Sequence, residues 1–192
     1  MPSNVAVLVG SLRKESYNRK MAKALTELAA PDLMLKIVEI GDLPLYNEDI
    51  EQVAPAAWVR FREEVSGADA VLFVTPEYNR SVPGALKNAI DVGSRPYGKS
   101  VFSRKPAAVM SVSPGAIGGF GANHHLRQSL VFLDMPTLQQ PEAYIGGANK
   151  LFDSGGRLAG DDTRDFLRKF LDAFAALIKS HPGRAMPPDL GP

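Results

Sequence analysis

The pattern of hydrophobic and polar residues divides the chain into two kinds of segment, which alternate along the sequence. Several short runs are mostly apolar, which is typical of strands buried within a parallel sheet. Between them lie longer segments whose apolar residues recur every three or four positions, as in helices that bury one face. The pattern predicts strands at residues 4–9, 33–40, 70–75, 107–112 and 137–140, and helices at residues 18–30, 55–66, 83–93, 122–134 and 161–179.

Strands that alternate with helices indicate a parallel sheet with helices on both faces. Five such units in 192 residues fit a flavodoxin-like doubly wound five-stranded α/β fold with the strand order 2-1-3-4-5. We expect residues 1–180 to form a single domain, and the Pro- and Gly-containing residues 181–192 to form a mobile tail. In this architecture ligands bind beyond the carboxyl ends of the strands, so the loops after the first, third and fourth strands are the expected site.

The composition narrows the classes of function. Hydrophobic residues make up 45% of the chain and charged residues 22%, which is typical of a globular protein. The net charge of +1 gives no reason to expect nucleic acid or an anionic membrane as the main partner. The absence of cysteine excludes disulfides, thiolate chemistry and iron–sulfur clusters. Because we find no signal segment and no apolar run near the roughly 18 residues of a membrane span, we expect a cytoplasmic protein.

The loop after the first strand, residues 10–18, has the donors that a phosphate requires. These are backbone N–H groups at a helix start and the side chains of Ser11, Arg13, Ser16 and Asn18. The loop lacks the second glycine of a Walker loop and the three glycines of a dinucleotide loop, so it suits a phosphomonoester better than a pyrophosphate. The alternative is a plain strand-to-helix turn with Ser16 as the N-cap.

The loops after the third and fourth strands suit a flat ring. Residues 75–84 contain two prolines, and such a rigid backbone can direct its N–H groups towards a heteroaromatic edge. Residues 113–121 are rich in glycine, which allows close backbone approach. The three loops together fit a ligand with a phosphate at one end and a planar ring at the other, such as flavin mononucleotide (FMN).

Two motifs carry a resemblance to a known family. Residues 10–18 read GSLRKESYN and resemble the phosphate loop of the NAD(P)H-dependent FMN reductase family. Residues 75–91, which begin TPEYN, resemble its second signature, and residues 125–128 and 141–142 also have counterparts there. The resemblance runs from about residue 4 to residue 147 and is closest to the bacterial chromate/quinone reductase branch; the family also contains azoreductases.

This resemblance implies non-covalent FMN and two-electron transfer from NAD(P)H through flavin N5 to a small-molecule acceptor: a quinone, chromate, an azo compound or free flavin. It also implies a homo-oligomer, a dimer or a homotetramer, and it requires no catalytic side chain. Carried over by position, the phosphate would be held by Ser11, Arg13, Ser16 and Asn18. The isoalloxazine would be bordered by Pro76, Glu77, Tyr78 and Asn79, largely through backbone, and at its other edge by Ser113 and Gly115.

The chain departs from the family at the start of the fourth helix. An arginine often follows the glycine pair by two or three residues, where this chain has Phe120, Gly121 and Ala122, and a tyrosine common near position 124 is His124. These departures concern the subunit contacts, to which Glu142 would also belong, and the shape of the substrate pocket. His124 and its neighbour His125 face different directions on a helix, so we expect no metal site there.

Two other functions fit the same topology. A flavodoxin-type electron carrier would bind FMN without a substrate of its own, but the carriers of that family are usually strongly acidic. A phospho-receiver or another phosphate-ester-binding module is the third possibility. A receiver needs carboxylates at the end of the first strand, where this chain has Gly10 and Ser11.

Overall fold

Five parallel strands form one sheet in residues 1–181, the part of the chain that the structure, a computed structural model, describes. The strands are β1 (Ser3–Val9), β2 (Leu33–Val38), β3 (Ala70–Thr75), β4 (Ala107–Val112) and β5 (Ala143–Ile145). The longer helices are α1 (Tyr17–Leu28), α2 (Ala56–Ser66), α3 (Gly84–Gly93), α4 (Phe120–Phe132) and α5 (Asp161–Ser180). The strand order β2-β1-β3-β4-β5 confirms the predicted flavodoxin-like fold.

The helices cover both faces of the sheet. On one face α1 and α5 pack their apolar sides against alternate residues of the central strands, with Met21 and Phe170 fully buried. On the other face α2, α3 and α4 do the same, and Trp58 is fully buried there. The predicted core positions of Trp58 and of the Phe166, Phe170 and Phe174 stripe are confirmed, although Phe166 is only partly buried.

The predicted position of the fifth strand is wrong. Of residues 137–140, Thr137 pairs with Ala107 through an isolated bridge, and Leu138 donates its N–H to the Ala107 carbonyl. The ladder on β4 then resumes at Ala143, after Pro141, which has no N–H to donate. The strand that pairs with β4 therefore consists of residues 143–145, and an apolar pattern of three residues is too short to be recognised in the sequence.

The start of α4 also differs from the prediction. We expected residues 113–121 to be loop and the helix to begin at Ala122, but α4 begins at Phe120. Gly118 and Gly119 have positive φ angles, which place the backbone in the left-handed region just before the helix. Gly121 is therefore a helical residue, and the glycine-rich loop is two residues shorter than expected.

The strand ends lie at a common edge of the sheet. β1 pairs with β3 as far as Val9 and Val74, and β3 pairs with β4 as far as Thr75 and Ser111. The three loops singled out in the sequence thus begin side by side. No helix among residues 1–181 combines the length and the hydropathy needed to cross a membrane. Apart from His181, the predicted tail lies outside the described residues.

Candidate functional site

The loop after β1 packs directly on the start of the loop after β3. Gly10 donates its N–H to the Val74 carbonyl at 2.9 Å, which extends the β1–β3 ladder by one residue. A Cβ atom at Gly10 would lie 3.0 Å from Thr75 Oγ1 and 3.2 Å from Pro76 Cδ. Glycine at this position therefore allows the two loops to lie in contact, as expected for a site shared between them.

The two serines of the first loop are buried at the start of α1. Ser11 is 4% exposed and Ser16 is 2% exposed. Ser16 Oγ accepts the N–H of Arg19 at 3.2 Å, so Ser16 is the N-cap of α1, as the alternative interpretation of this loop predicts. The hydroxyl hydrogen of Ser16 can still donate to a ligand, because capping uses only the oxygen as an acceptor. Arg13 is exposed in the same loop.

The buried amide of Asn18 links α1 to the end of β4. Its Nδ2 donates to the Val112 carbonyl at 3.2 Å, which fixes the orientation of the amide because a carbonyl accepts only from the N–H side. The Oδ1 atom is buried and has no hydrogen-bond partner in the structure. A buried acceptor left unpaired costs free energy. This oxygen can therefore accept a hydrogen bond from a ligand hydroxyl. The second hydrogen on Nδ2, which does not bond to Val112, can be donated to a phosphate.

These donors and acceptors fit FMN. A phosphate needs several donors, which the serine hydroxyls and the N-terminus of α1 offer. The ribityl chain of FMN carries hydroxyl groups, and the unpaired oxygen of Asn18 calls for such a donor. The residues present thus match both the phosphate and the adjoining chain of the ligand predicted from the sequence.

The loop after β3 folds into a tight turn. Tyr78 and Ser81 exchange two backbone hydrogen bonds of 3.2 and 3.0 Å, and Asn79 and Arg80 between them have φ angles of 51° and 61°. These angles are those of a type I′ turn, which asparagine tolerates but which is unusual for arginine. Tyr78 and Asn79 are exposed on this turn, whereas Pro76 and Glu77 are half-buried.

The loop after β4 lies against β5. Ser113 donates its N–H to the Ile145 carbonyl, and its Oγ accepts the N–H of Gly115 at 3.1 Å. A Cβ atom at Gly118 would lie 2.6 Å from the carbonyl carbon of Tyr144, so only glycine permits this contact. Ser113 is half-buried and Gly115 is exposed, which leaves the backbone of this loop open to a ligand.

An aromatic cluster, formed by Phe120, His124 and Tyr144, lies beside this loop. The rings of Phe120 and His124 are 4.2 Å apart, and His124 Nε2 lies 2.8 Å from the Tyr144 hydroxyl. Burial, together with the neighbouring Glu142 carboxylate, raises the pKa of Tyr144 to about 12. Tyr144 was not among the predicted site residues, although it lies only two residues after Glu142 in the sequence.

His124 and His125 have different partners, as their adjacency on a helix predicts. His125 Nδ1 lies 2.7 Å from Ser81 Oγ in the turn after β3, whereas His124 faces β5. The side chains of the fourth helix thus reach both neighbouring elements of the candidate site.

The chain is similar to known proteins over most of its length. The family model for NADPH-dependent FMN reductase matches residues 3–150. A quinone reductase from Pseudomonas putida is 73% identical over 177 residues, which cover 92% of this chain and 95% of the relative. A 2-hydroxy-1,4-benzoquinone reductase from Burkholderia sp is 44% identical over 93% of this chain and 98% of the relative.

A solved structure extends the likeness to three dimensions. The flavoenzyme NAD(P)H:(acceptor) oxidoreductase from Paracoccus denitrificans has a TM-score of 0.88 and 44% identity, over 93% of this chain and 98% of that one. The likeness in sequence and in fold therefore spans more than nine-tenths of the chain. The chain belongs to the NADPH-dependent FMN reductase family.

Proposed function

We propose that the chain is an FMN-dependent NAD(P)H oxidoreductase that makes two-electron reductions, with a quinone as its main acceptor. The relatives from Pseudomonas putida and Burkholderia sp are named for quinone substrates, and both align over more than nine-tenths of this chain. Chromate, azo compounds and free flavin are further acceptors that the proposal includes, because an open slot beside a flavin ring accepts molecules that stack and fit.

One observation carries the proposal: three separate loops are joined at one edge of the sheet. The loop after β1 packs on Thr75 and Pro76 through Gly10. Asn18 bonds to the last residue of β4, and the Glu77 carboxylate bonds to the first turn of α4. The loops thus form a continuous surface with phosphate donors at one end and exposed backbone at the other.

Each part of this surface has a distinct task in the proposed complex. Ser11, Arg13 and Ser16 hold the phosphate. Asn18 accepts a hydrogen bond from a ribityl hydroxyl through Oδ1 and donates one to the phosphate through Nδ2. The ring is bordered by the backbone of residues 76–79 on one side and of residues 113–115 on the other. When bound, FMN would supply the redox chemistry by taking hydride from the nicotinamide at N5 and giving it to the acceptor, and a quinone would take its second proton from water. The protein positions these groups and needs no general acid or base of its own.

We also propose that the working unit is a cytoplasmic homo-oligomer, a dimer or a tetramer. Three apolar side chains of α4 are exposed: Phe120 by 46%, Val131 by 78% and Phe132 by 75%. Exposed apolar side chains grouped on one helix are a common feature of subunit contacts. His124 and Glu142 lie at the Phe120 end of this helix, where the family resemblance places such contacts.

A visible spectrum followed by anaerobic titration tests the enzyme proposal. We expect the purified protein to be yellow, or to become so with added FMN, and to bleach with about one equivalent of NADPH or NADH per flavin. Free FMN at the same concentration is the control for uncatalysed reduction. A flavin that stays oxidised with both nucleotides would identify a flavodoxin-type carrier. A protein that binds no FMN would favour the phosphate-ester module.

Reoxidation of the reduced protein tests the acceptor. Under anaerobic conditions we expect 1,4-benzoquinone to restore the yellow spectrum faster than chromate, an azo dye or free FMN at equal concentration. One hydroquinone should form per flavin without a radical signal in electron paramagnetic resonance, because two electrons are transferred together. Faster reoxidation by chromate would contradict the assignment of quinones as the main acceptors.

A further inference from the structure

The carboxylate of Glu77 joins two of the loops at the candidate site. Glu77 belongs to the loop after β3, yet its Oε2 atom accepts the backbone N–H of Ala122 in the first turn of α4 at 3.0 Å. Its side chain is 12% exposed, so the contact is largely shielded from water. One side chain thus spans from the loop after β3 to the helix that follows the loop after β4.

The start of α4 has a particular need for this carboxylate. The first N–H groups of a helix have no intrahelical partner, and they attract negative charge. The N-cap of α4 is Gly119, which has no side chain, and residues 120–123 include no acidic residue. Glu77 therefore provides from another loop the cap and the charge that α4 does not provide itself.

Gly121 makes room for the contact. A Cβ atom at this position would lie 2.9 Å from Glu77 Oε2 and 3.0 Å from the Arg80 carbonyl oxygen. Any side chain here would displace either the carboxylate or the turn after β3. This accounts in physical terms for glycine in the region where the family often has an arginine.

The turn after β3 holds the carboxylate from the other side. Arg80 Nη1 donates to Glu77 Oε1 at 3.1 Å, so each carboxylate oxygen has its own partner. The positive φ angles of Asn79 and Arg80 bring the chain back to Ser81, whose Oγ lies 2.7 Å from His125 Nδ1. The loop after β3 is therefore attached to α4 at two points, one helical turn apart.

We propose that Glu77 is a positioning residue that sets the spacing between the loops after β3 and β4. This inference rests on the proposed function, in which these two loops border the flavin ring. Both carboxylate oxygens bond to protein groups, so Glu77 acts through the loops that it joins and not as a proton donor or acceptor. Without this contact, the loop after β3 would keep only one of its two points of attachment to α4, and the two sides of the ring slot would be held less firmly.

Three variants test the role of Glu77: Glu77→Ala, Glu77→Gln and the control Glu27→Ala, which removes an exposed glutamate of α1. We expect Glu77→Ala to raise the FMN dissociation constant about tenfold, since a charge-assisted contact is lost. It should also alter the visible circular dichroism and the midpoint potential of the bound flavin. Glu77→Gln keeps an acceptor oxygen for Ala122 and should restore the spectrum, and Glu27→Ala should match the wild type.

Gly121→Ala provides a second route to the same contact. The added methyl group should displace the carboxylate, weaken FMN binding and change the flavin spectrum in the same direction as Glu77→Ala. The loss in the double variant should be smaller than the sum of the two single losses, because both changes remove the contact between Glu77 and Ala122. Far-ultraviolet circular dichroism shows which variants are folded, and FMN binding is compared among those variants.

Three results would overturn the proposal. The first is wild-type FMN affinity and flavin spectrum in Glu77→Ala, and the second is equal impairment by Glu77→Gln and Glu77→Ala. The third is additive losses in the double variant, which would contradict a shared contact. If the wild-type protein bound no FMN, the proposed function itself would fail, and that outcome is distinct from any difference among the variants.

Discussion

At the residue scale, the amide of Asn18 connects the phosphate loop with the end of β4. We predict that Asn18→Asp lowers the free energy of unfolding by about 1–3 kcal/mol, because a carboxylate oxygen would then face the Val112 carbonyl oxygen. The added negative charge should also weaken FMN binding. Urea denaturation of the FMN-free protein measures the first effect, and flavin fluorescence measures the second.

Asn149→Asp is the matched control for this prediction, since Asn149 is an exposed asparagine and should tolerate the change. Equal effects of the two substitutions would show that the bond to Val112 contributes nothing particular. Unchanged FMN binding in Asn18→Asp would remove Asn18 from the proposed phosphate site.

Local roles of single residues were predictable, and long-range partners were not. Ser16 caps α1 through an N–H three residues away, and such a cap follows from the local sequence. Asn18 and Val112 are 94 positions apart, and Glu77 and Ala122 are 45 apart. Motifs indicated which residue types belong to the site, but which groups they contact depends on how the sheet brings distant loops together.

At the scale of a single element, the two ends of α3 should respond differently to the same substitution. A Cβ atom at Gly93 would lie 2.5 Å from Phe102 Cε2 and 3.1 Å from Phe61 Cε1, inside the core. We predict that Gly93→Ala lowers the free energy of unfolding by about 1–3 kcal/mol through overpacking. Thermal unfolding should show a fall in Tm of about 2–4 °C per kcal/mol for a protein of this size.

Gly84→Ala is the control at the other end of the same helix. No atom lies within 4 Å of the position that its Cβ would take. Alanine there should be neutral or stabilise the helix by up to about 1 kcal/mol, because glycine loses more backbone freedom on folding. If both substitutions destabilised the protein equally, crowding against Phe102 would not be the cause.

Elements with long or continuous patterns were the most predictable. The apolar runs of β1, β3 and β4 and the amphipathic pattern of α5 appear in the structure within one or two residues of their predicted bounds. β5 was misplaced because three residues give too little periodicity. The start of α4 was predicted two residues too late because Phe120 and Gly121 do not look like a helix start, and the acceptor for the Ala122 N–H comes from Glu77 in another loop.

At the scale of the whole molecule, the predicted topology determined where the site would lie. The strand order places the ends of β1, β3 and β4 side by side, so three loops that are distant in sequence become neighbours. A ligand that contacts all three would hold together strands from the centre of the sheet. Its binding should therefore stabilise the sheet as a unit, and the effect should be visible in global unfolding.

FMN and riboflavin differ only in the phosphate, so they can separate the two ends of the proposed site. At one hundred times its dissociation constant, FMN should stabilise the protein by about 2.7 kcal/mol, which corresponds to a rise in Tm of about 5–10 °C. Riboflavin at the same concentration should give a smaller rise in Tm.

Arg13→Ala should remove most of the advantage of FMN over riboflavin, because a charge-assisted contact to phosphate contributes about 1.5–3 kcal/mol. Arg168→Ala, which removes an exposed arginine of α5, should preserve it. Equal shifts by FMN and riboflavin in the wild type would mean that the loop after β1 does not bind phosphate, and the serine–arginine loop would then have to be understood as a plain helix start.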